Sequence, residues 1–275
     1  MIVKNDIANR LLSRCAAALV MLLPLAAQAA PHCRPAPIRL DYLELGWFYA
    51  STASPKGKGI DYDLVQELAR RSGCAFNARL RVRAQTWNRL KDGQVDMTVN
   101  GIRSDVRAEL AWFLPYVRVY HEVLLGKGAP ATIRSLADFE AAPGLKFGVV
   151  RGYRHNPFYD ALLAKWRAAG RVLEYSDEAA LIVAVRHGEV AAMLSYPATY
   201  QYYLSAGQVR RELRVASWNP AFDYVTLNLV ISKNMMGQQE AEQWHELLRT
   251  MRQDGTLLRI FQRYLNPQDA RTMLP

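Results

Sequence analysis

The chain has 275 residues, 51% of them hydrophobic and 22% charged, with a formal net charge of +10. That composition excludes a disordered or low-complexity chain and describes an ordinary globular protein. The arginines are scattered and no Lys/Arg block occurs, which argues against nucleic acid and leaves anionic small molecules or an anionic envelope surface as partners.

In chain order, the first feature is a basic stretch with Lys4, Arg10 and Arg14, followed by the apolar run "AAALVMLLPLAA" and the small-residue site Ala27-Gln28-Ala29. This predicts a secretory signal peptide over residues 1–29. The apolar run is too short to span a bilayer and contains Pro24, so a membrane anchor is disfavoured. Neither Cys15 nor Cys33 sits in a lipoprotein-like L-A-G-C context. The expected mature protein is exported to the periplasm, and removing the leader takes the net charge from +10 to +8. Of the three cysteines, Cys33 and Cys74 remain, and in an oxidising compartment their default state is a disulfide, with two buried thiols as the alternative.

The mature region reads as an α/β rhythm. "PIRLDYL" at 37–43 predicts a first strand, and "DYDLVQELARRSG" a helix capped by Asp61 or Asp63 and ended by Gly73. "AFNARLRV" alternates like a half-wet strand, "TWNRLKDG" reads as a short helix between Thr86 and Gly93, and "VDMTV" at 95–99 as a strand. Further on, "LKFGVV" is a strand, Asn156-Pro157 opens a helix, and "RVLEYS" is a strand. Ser176 is placed as the cap of "DEAALIVAVRHG", followed by the strand "VAAMLS" and a tyrosine-rich helix opened by Pro197. The strand "YVTLNLVIS" and two helices close the chain. Strands alternating with helices predict an α/β fold of mainly parallel sheets with helices on both faces, whose ligands bind at the carboxyl ends of strands. The loops after the strands at 37–43, 95–99, 145–150 and 190–195 are therefore the candidate site.

Short catalytic motifs are absent. There is no G-x-S-x-G elbow, "WHELL" lacks the second histidine of a zinc helix, and "PKGKG" is not a phosphate loop. The five histidines have no metal-ligand spacing. The expectation is a protein that is not an enzyme and has no cofactor and no metal.

"GIDYDLVQELARRSG", Trp87, "LKDGQVDM", "SDVR" at 104–107 and "FLPY" at 113–116 together resemble the bacterial extracellular solute-binding proteins of family 3, the polar-amino-acid receptors of ABC importers. "LKFGVVRG", "VRHGEVAAMLS" and "LRTMRQDGTLLRIFQRYL" continue the resemblance over nearly all the mature chain. It implies a two-lobed Venus-flytrap fold, with lobe 1 over 30–119 and 226–275, lobe 2 over 120–225, and two crossing strands as the hinge. It also implies a monomer that closes on a small-molecule ligand and presents it to an ABC permease or a sensor protein at the inner membrane.

The resemblance assigns Arg107 to the ligand's carboxylate, in a turn that includes Asn100, Gly101 and Ile102. The physics agrees, because a planar guanidinium matches a carboxylate with two parallel hydrogen bonds, and a cation in a helix's first turn is otherwise unfavourable. A salt bridge from Arg107 to Asp105 or Glu109 is the alternative. The sequence departs from the family at several points. Ile102 replaces a small hydroxyl residue, Gly152-Tyr153-Arg154 replaces a G-T-T turn, and Leu194-Ser195-Tyr196 lacks the acid that holds an amino group. Glu44 is the candidate substitute acid, and Trp47, Phe48, Tyr153 and Tyr196 are candidate walls of an aromatic cleft. Arg154 beside Arg107 would favour a ligand with two anionic groups, or a carboxylate lacking an amine. A cyclohexadienyl-dehydratase-like enzyme is the remaining alternative, with Glu44 as its general acid.

Overall fold

The computed structural model describes residues 31, 33–51, 57–204, 206–219 and 224–275. The predicted signal peptide lies outside them. Among the described residues, no helix is long and apolar enough to cross a membrane.

The first third of the chain winds β1 (Ile38–Tyr42), α1 (Ile60–Ser72), β2 (Phe76–Leu80), α2 (Arg83–Lys91) and β3 (Met97–Gly101) into parallel β-α-β units. A short helix α3 (Asp105–Leu110) then leads into the long strand β4 (Ala111–Val119). The chain crosses through Tyr120 and His121 to a second sheet. There it forms β5 (Glu122–Leu125), α4 (Leu136–Glu140), β6 (Phe147–Val150), α5 (Pro157–Ala168), β7 (Val172–Tyr175), α6 (Glu178–His187) and β8 (Ala192–Ser195). After α7 (Pro197–Tyr203), α8 (Ala206–Glu212) and β9 (Arg214–Ala216), it returns as β10 (Val225–Ser232) and ends in α9 (Gln238–Gln253), α10 (Thr256–Gln262) and α11 (Pro267–Thr272).

The two sheets have the same plan. The first runs β2-β1-β3-β10-β4 and the second β7-β6-β8-β5-β9. In each, one antiparallel strand, β10 in the first and β5 in the second, lies between three parallel strands and an edge strand that runs the same way as those three. The two reversed strands, β5 and β10, are the ones with which the chain enters a sheet after crossing from the other. Strand order reverses between β1 and β3, and again between β6 and β8. These are the switch points at which an open α/β sheet leaves a crevice beyond its strand ends.

Both faces of each sheet are covered. Along β5, Val123 and Leu125 pack with Phe139, Phe147 and Trp166, while Leu124 between them packs with Leu181, Val185 and Met193. Along β10, Leu227, Leu229 and Ile231 face a core with Trp244 and Phe261, while Val230 faces Leu90 and Val95. The period of two along each strand separates these clusters. A Cys33–Cys74 disulfide, Cα–Cα 5.1 Å, ties the segment before β1 to the end of α1.

Several helix starts differ from the sequence reading. Asn156 caps α5 as expected, its Oδ1 accepting from the Tyr159 N–H at 2.9 Å, with Pro157 first in the helix. The cap of α6 is Asp177, not Ser176, its carboxylate accepting from the Ala180 N–H at 2.9 Å. Neither Asp61 nor Asp63 caps α1. Gly59 does, at φ 137°, because a Cβ there would lie 2.4 Å from the Phe48 carbonyl oxygen. The helix α2 begins at Arg83, three residues before the expected Thr86, after Val82, which supplies no side-chain cap.

Candidate functional site

The site begins behind the cleft, at the end of β3. Asn100 has φ 56°, left-handed for a residue with a side chain, and its neighbours hold it there. Its amide donates to Asp61 Oδ2. The Tyr116 hydroxyl lies 2.6 Å from Asp61 Oδ1 and 2.8 Å from Asn100 Oδ1, so its single proton serves one of them at a time. Burial raises the Asp61 carboxyl to about 7, against the opposing hydrogen bonds of Tyr116 and Asn100. This buried network comes from α1, β3 and β4, and it fixes the turn that leads to Arg107.

Arg107 lies in the six-residue helix α3, with Ser104 at the N-cap position but no side-chain cap bond. Its guanidinium stacks 4.0 Å above the Trp87 ring, which is backed by Phe113 at 6.1 Å. It donates to the Ile102 carbonyl at 3.2 Å and, across to the second sheet's β6–α5 turn, to the Gly152 carbonyl at 3.3 Å. No carboxylate pairs with it among the described residues, and Asp105 lies instead 3.8 Å from Arg103. Desolvation, with repulsion from Arg83 and Arg154, lowers its pKa to about 10, so it stays charged at neutral pH.

The opposite wall is the β6–α5 turn. Gly152, at φ 75°, packs against Ala84 near the start of α2. The Tyr153 ring lies between the Arg83 guanidinium at 4.4 Å and the His155 ring at 4.9 Å. His155 Nδ1 is 2.8 Å from His121 Nε2, and His121 lies 4.7 Å from the Tyr196 ring. Burial pushes both imidazoles down, His121 to about 3, so the pair is neutral. Glu178, first residue of α6, is buried and accepts from Ser195 Oγ at 2.6 Å, and burial raises its carboxyl to about 7. Leu45, Tyr153, His155, Glu178, Ser195 and Tyr196 line a cavity of about 10 Å³. Wider crevices open on either flank. One of about 880 Å³ runs past Ile102, Arg154 and Asn228, and one of about 500 Å³ past Glu44, Arg83 and Asp177.

Of the residues expected from the sequence, Tyr153, Ser195 and Tyr196 line the small cavity, Ile102 and Arg154 the first crevice and Glu44 the second, whereas Arg107 lines none of the three and meets this wall through the Gly152 carbonyl. Glu44 is half-buried and accepts from Ser51 Oγ at 3.2 Å. Arg154 is paired with Asp160 at 3.1 Å. Trp47 sits in the seam with α7, its N–H donating to the Ala198 carbonyl at 3.2 Å and its ring edge-on to Tyr202 at 5.0 Å. Asn100, Gly101 and Phe48 lie behind the cleft. The Gly101 carbonyl accepts from Asn228 Nδ2 at 2.8 Å, and Phe48 is fully buried in the first core. Sequence reasoning passed over Arg83, Glu178 and the His121–His155 pair. Arg83 was hidden by the misplaced start of α2. Glu178 was readable only as a helix N-terminal acid. The histidines are 34 residues apart and meet only through the crossing at Tyr120 and His121. Among the described residues, no group of three or more His, Cys, Asp or Glu could hold a metal ion.

Solved structures share this fold. An ancestral arginine-binding protein bound to arginine aligns at TM-score 0.71 and 21% identity, over 86% of this chain and 100% of its own. A solute receptor for L-cysteine of Neisseria gonorrhoeae aligns at TM-score 0.71 and 20% identity, over 87% and 96%. A histidine kinase sensor domain with similarity to periplasmic binding proteins aligns at TM-score 0.68 and 18% identity, over 84% and 96%. No curated protein matches the chain. The family of bacterial extracellular solute-binding proteins, family 3, matches residues 47–267. With a match over most of its length and two facing α/β sheets around an arginine-bearing cleft, the chain belongs to the bacterial extracellular solute-binding proteins of family 3.

Proposed function

We propose that this is a periplasmic solute-binding protein that captures a small carboxylate-bearing solute between its two lobes and presents it to an ABC importer. The observation that carries the reading is Arg107. It is a half-buried guanidinium laid on Trp87, without an acid partner among the described residues, and bonded across the cleft to a backbone carbonyl. A carboxylate replaces two long bonds to carbonyls with a charge-assisted, bidentate pair. Ile102, Tyr153, Ser195 and Tyr196 form the remaining walls, and closure removes the ligand from solvent. A thermal-shift screen of the mature protein, followed by calorimetry on each hit, tests this, since a ligand specific to the folded state raises its melting midpoint. Arg107→Ala is expected to weaken any carboxylate hit by about thirtyfold or more. Unchanged affinity would remove Arg107 from the site.

The likeness to a histidine kinase sensor domain favours a second reading, in which the closed, liganded form is read by a membrane-bound sensor rather than a permease. Transport of the identified ligand lost on deletion of the gene supports import. A transcriptional response lost without any change in uptake supports sensing.

A further inference from the structure

A second guanidinium, that of Arg83, lies over Tyr153 without an ion-pair partner among the described residues. Arg83 is the first residue of α2, whose first turn contains no acid and whose N-cap, Val82, offers no side-chain oxygen. A cation there faces the positive end of the helix. Its Nη2 is shielded from solvent and has no hydrogen-bond partner, and Arg83 forms no ion pair among the described residues. A buried charged donor left unfilled is costly unless a ligand fills it.

Arg83 and Arg107 converge on one place. Arg107 donates to the Gly152 carbonyl, and Arg83 lies over the ring of the next residue, Tyr153. Both are tied to the same helix, since Arg83 and Trp87 are one turn apart on α2 and Arg107 rests on the Trp87 ring. The other arginine of this turn, Arg154, is already paired with Asp160. On the opposite wall the Glu178 carboxyl is buried and hydrogen-bonded to Ser195. One carboxylate on Arg107 would leave Arg83 unmatched.

We infer that Arg83 is a second anionic-ligand anchor and that the solute is a compact dicarboxylate spanning Arg107 and Arg83. This rests on the reading of Arg107 as carboxylate anchor. On binding, the second carboxylate takes the Arg83 Nη2 that has no partner, with Tyr153 as the wall beside it.

Calorimetry with glutarate and its monoamide, and with L-glutamate and L-glutamine, provides the test, because each pair differs only in whether the second group is charged. The expected result is at least a tenfold preference for the dianion in one pair, with that ratio falling to near one in Arg83→Gln. Circular-dichroism melting of the variant shows that it is folded. A preference that survives in folded Arg83→Gln overturns the assignment, as does binding of the monoanion equal to or tighter than the dianion, or no binding of glutarate or L-glutamate at all. Arg107→Ala separates the two levels. If it leaves dianion binding intact, the carboxylate-anchor reading itself has failed. If it abolishes binding while Arg83→Gln leaves the ratio unchanged, only the second anchor has failed.

Discussion

Asp61 and Glu178 show what burial does to single residues here. Each carboxyl is raised to about 7, from 3.8 for Asp61 and 4.5 for Glu178, by desolvation that its hydrogen bonds only partly offset. In the unfolded chain these groups lose their protons near pH 4, whereas in the folded chain they keep them to about pH 7. Over that interval the unfolded state binds fewer protons, so these two groups make stability fall as pH rises from about 4 to about 7 and level off above. Chemical denaturation across this range should show that decline, and the Asp61→Asn, Glu178→Gln double variant should flatten it. An unchanged slope would mean that neither group stays protonated in the folded protein. At the same scale, the sequence singled out Arg107 through the family resemblance, and a cation in a predicted first turn agreed with it. Arg83 has the same anomaly but was invisible, because "RVRAQTW" has no capping residue to announce the helix.

At the scale of elements, strands were readable and helix starts less so. Period-two alternation and β-branched runs survive folding, so β1, β3, β6, β8 and β10 fall within a few residues of their predicted spans. A helix start depends on which side chain reaches which amide. Asp177 and Ser176 are equally good caps in sequence, and only the exit direction of β7 decides between them. Gly59 starts α1 for a tertiary reason, the closeness of the Phe48 carbonyl. The disulfide is the covalent counterpart. It closes a loop with a sequence separation of 41 around β1 and α1. In the chain-entropy model that constraint is worth about 4 kcal/mol. Cys74→Ser with Cys33→Ser is expected to lower the unfolding free energy by about that amount in urea titration. A change below about 1 kcal/mol would show that the reduced unfolded chain is already constrained there.

At the scale of the molecule, the two walls meet along the α7 seam, where Trp47 bonds to the Ala198 carbonyl, and at the β6–α5 turn, through Gly152 on Ala84, Arg107 to the Gly152 carbonyl and Arg83 over Tyr153. Ala84 is the point at which added bulk separates the two walls without entering either core. Ala84→Phe is expected to increase the radius of gyration in small-angle scattering of the ligand-free protein and to weaken ligand binding, with the melting midpoint of the free protein little changed. Scattering identical to the parent would show that the contact does not hold the two walls together.

The sequence by itself determined the α/β class, the covering of both sheet faces, the export signal as an expectation, and the arginine-bearing turn after β3. These follow from local periodicity, composition and motif order, all written along the chain. The tertiary structure decided the rest. It placed the crossings at Tyr120 and His121 and after β9, the matching strand orders of the two sheets, the pairing of Arg154 with Asp160, and the meeting of Arg83 with Tyr153. Apart from the Arg154–Asp160 pair, which is local, these features join residues tens of positions apart. Such contacts depend on how two sheets face each other, and hydrophobic pattern along one strand or helix does not encode that orientation.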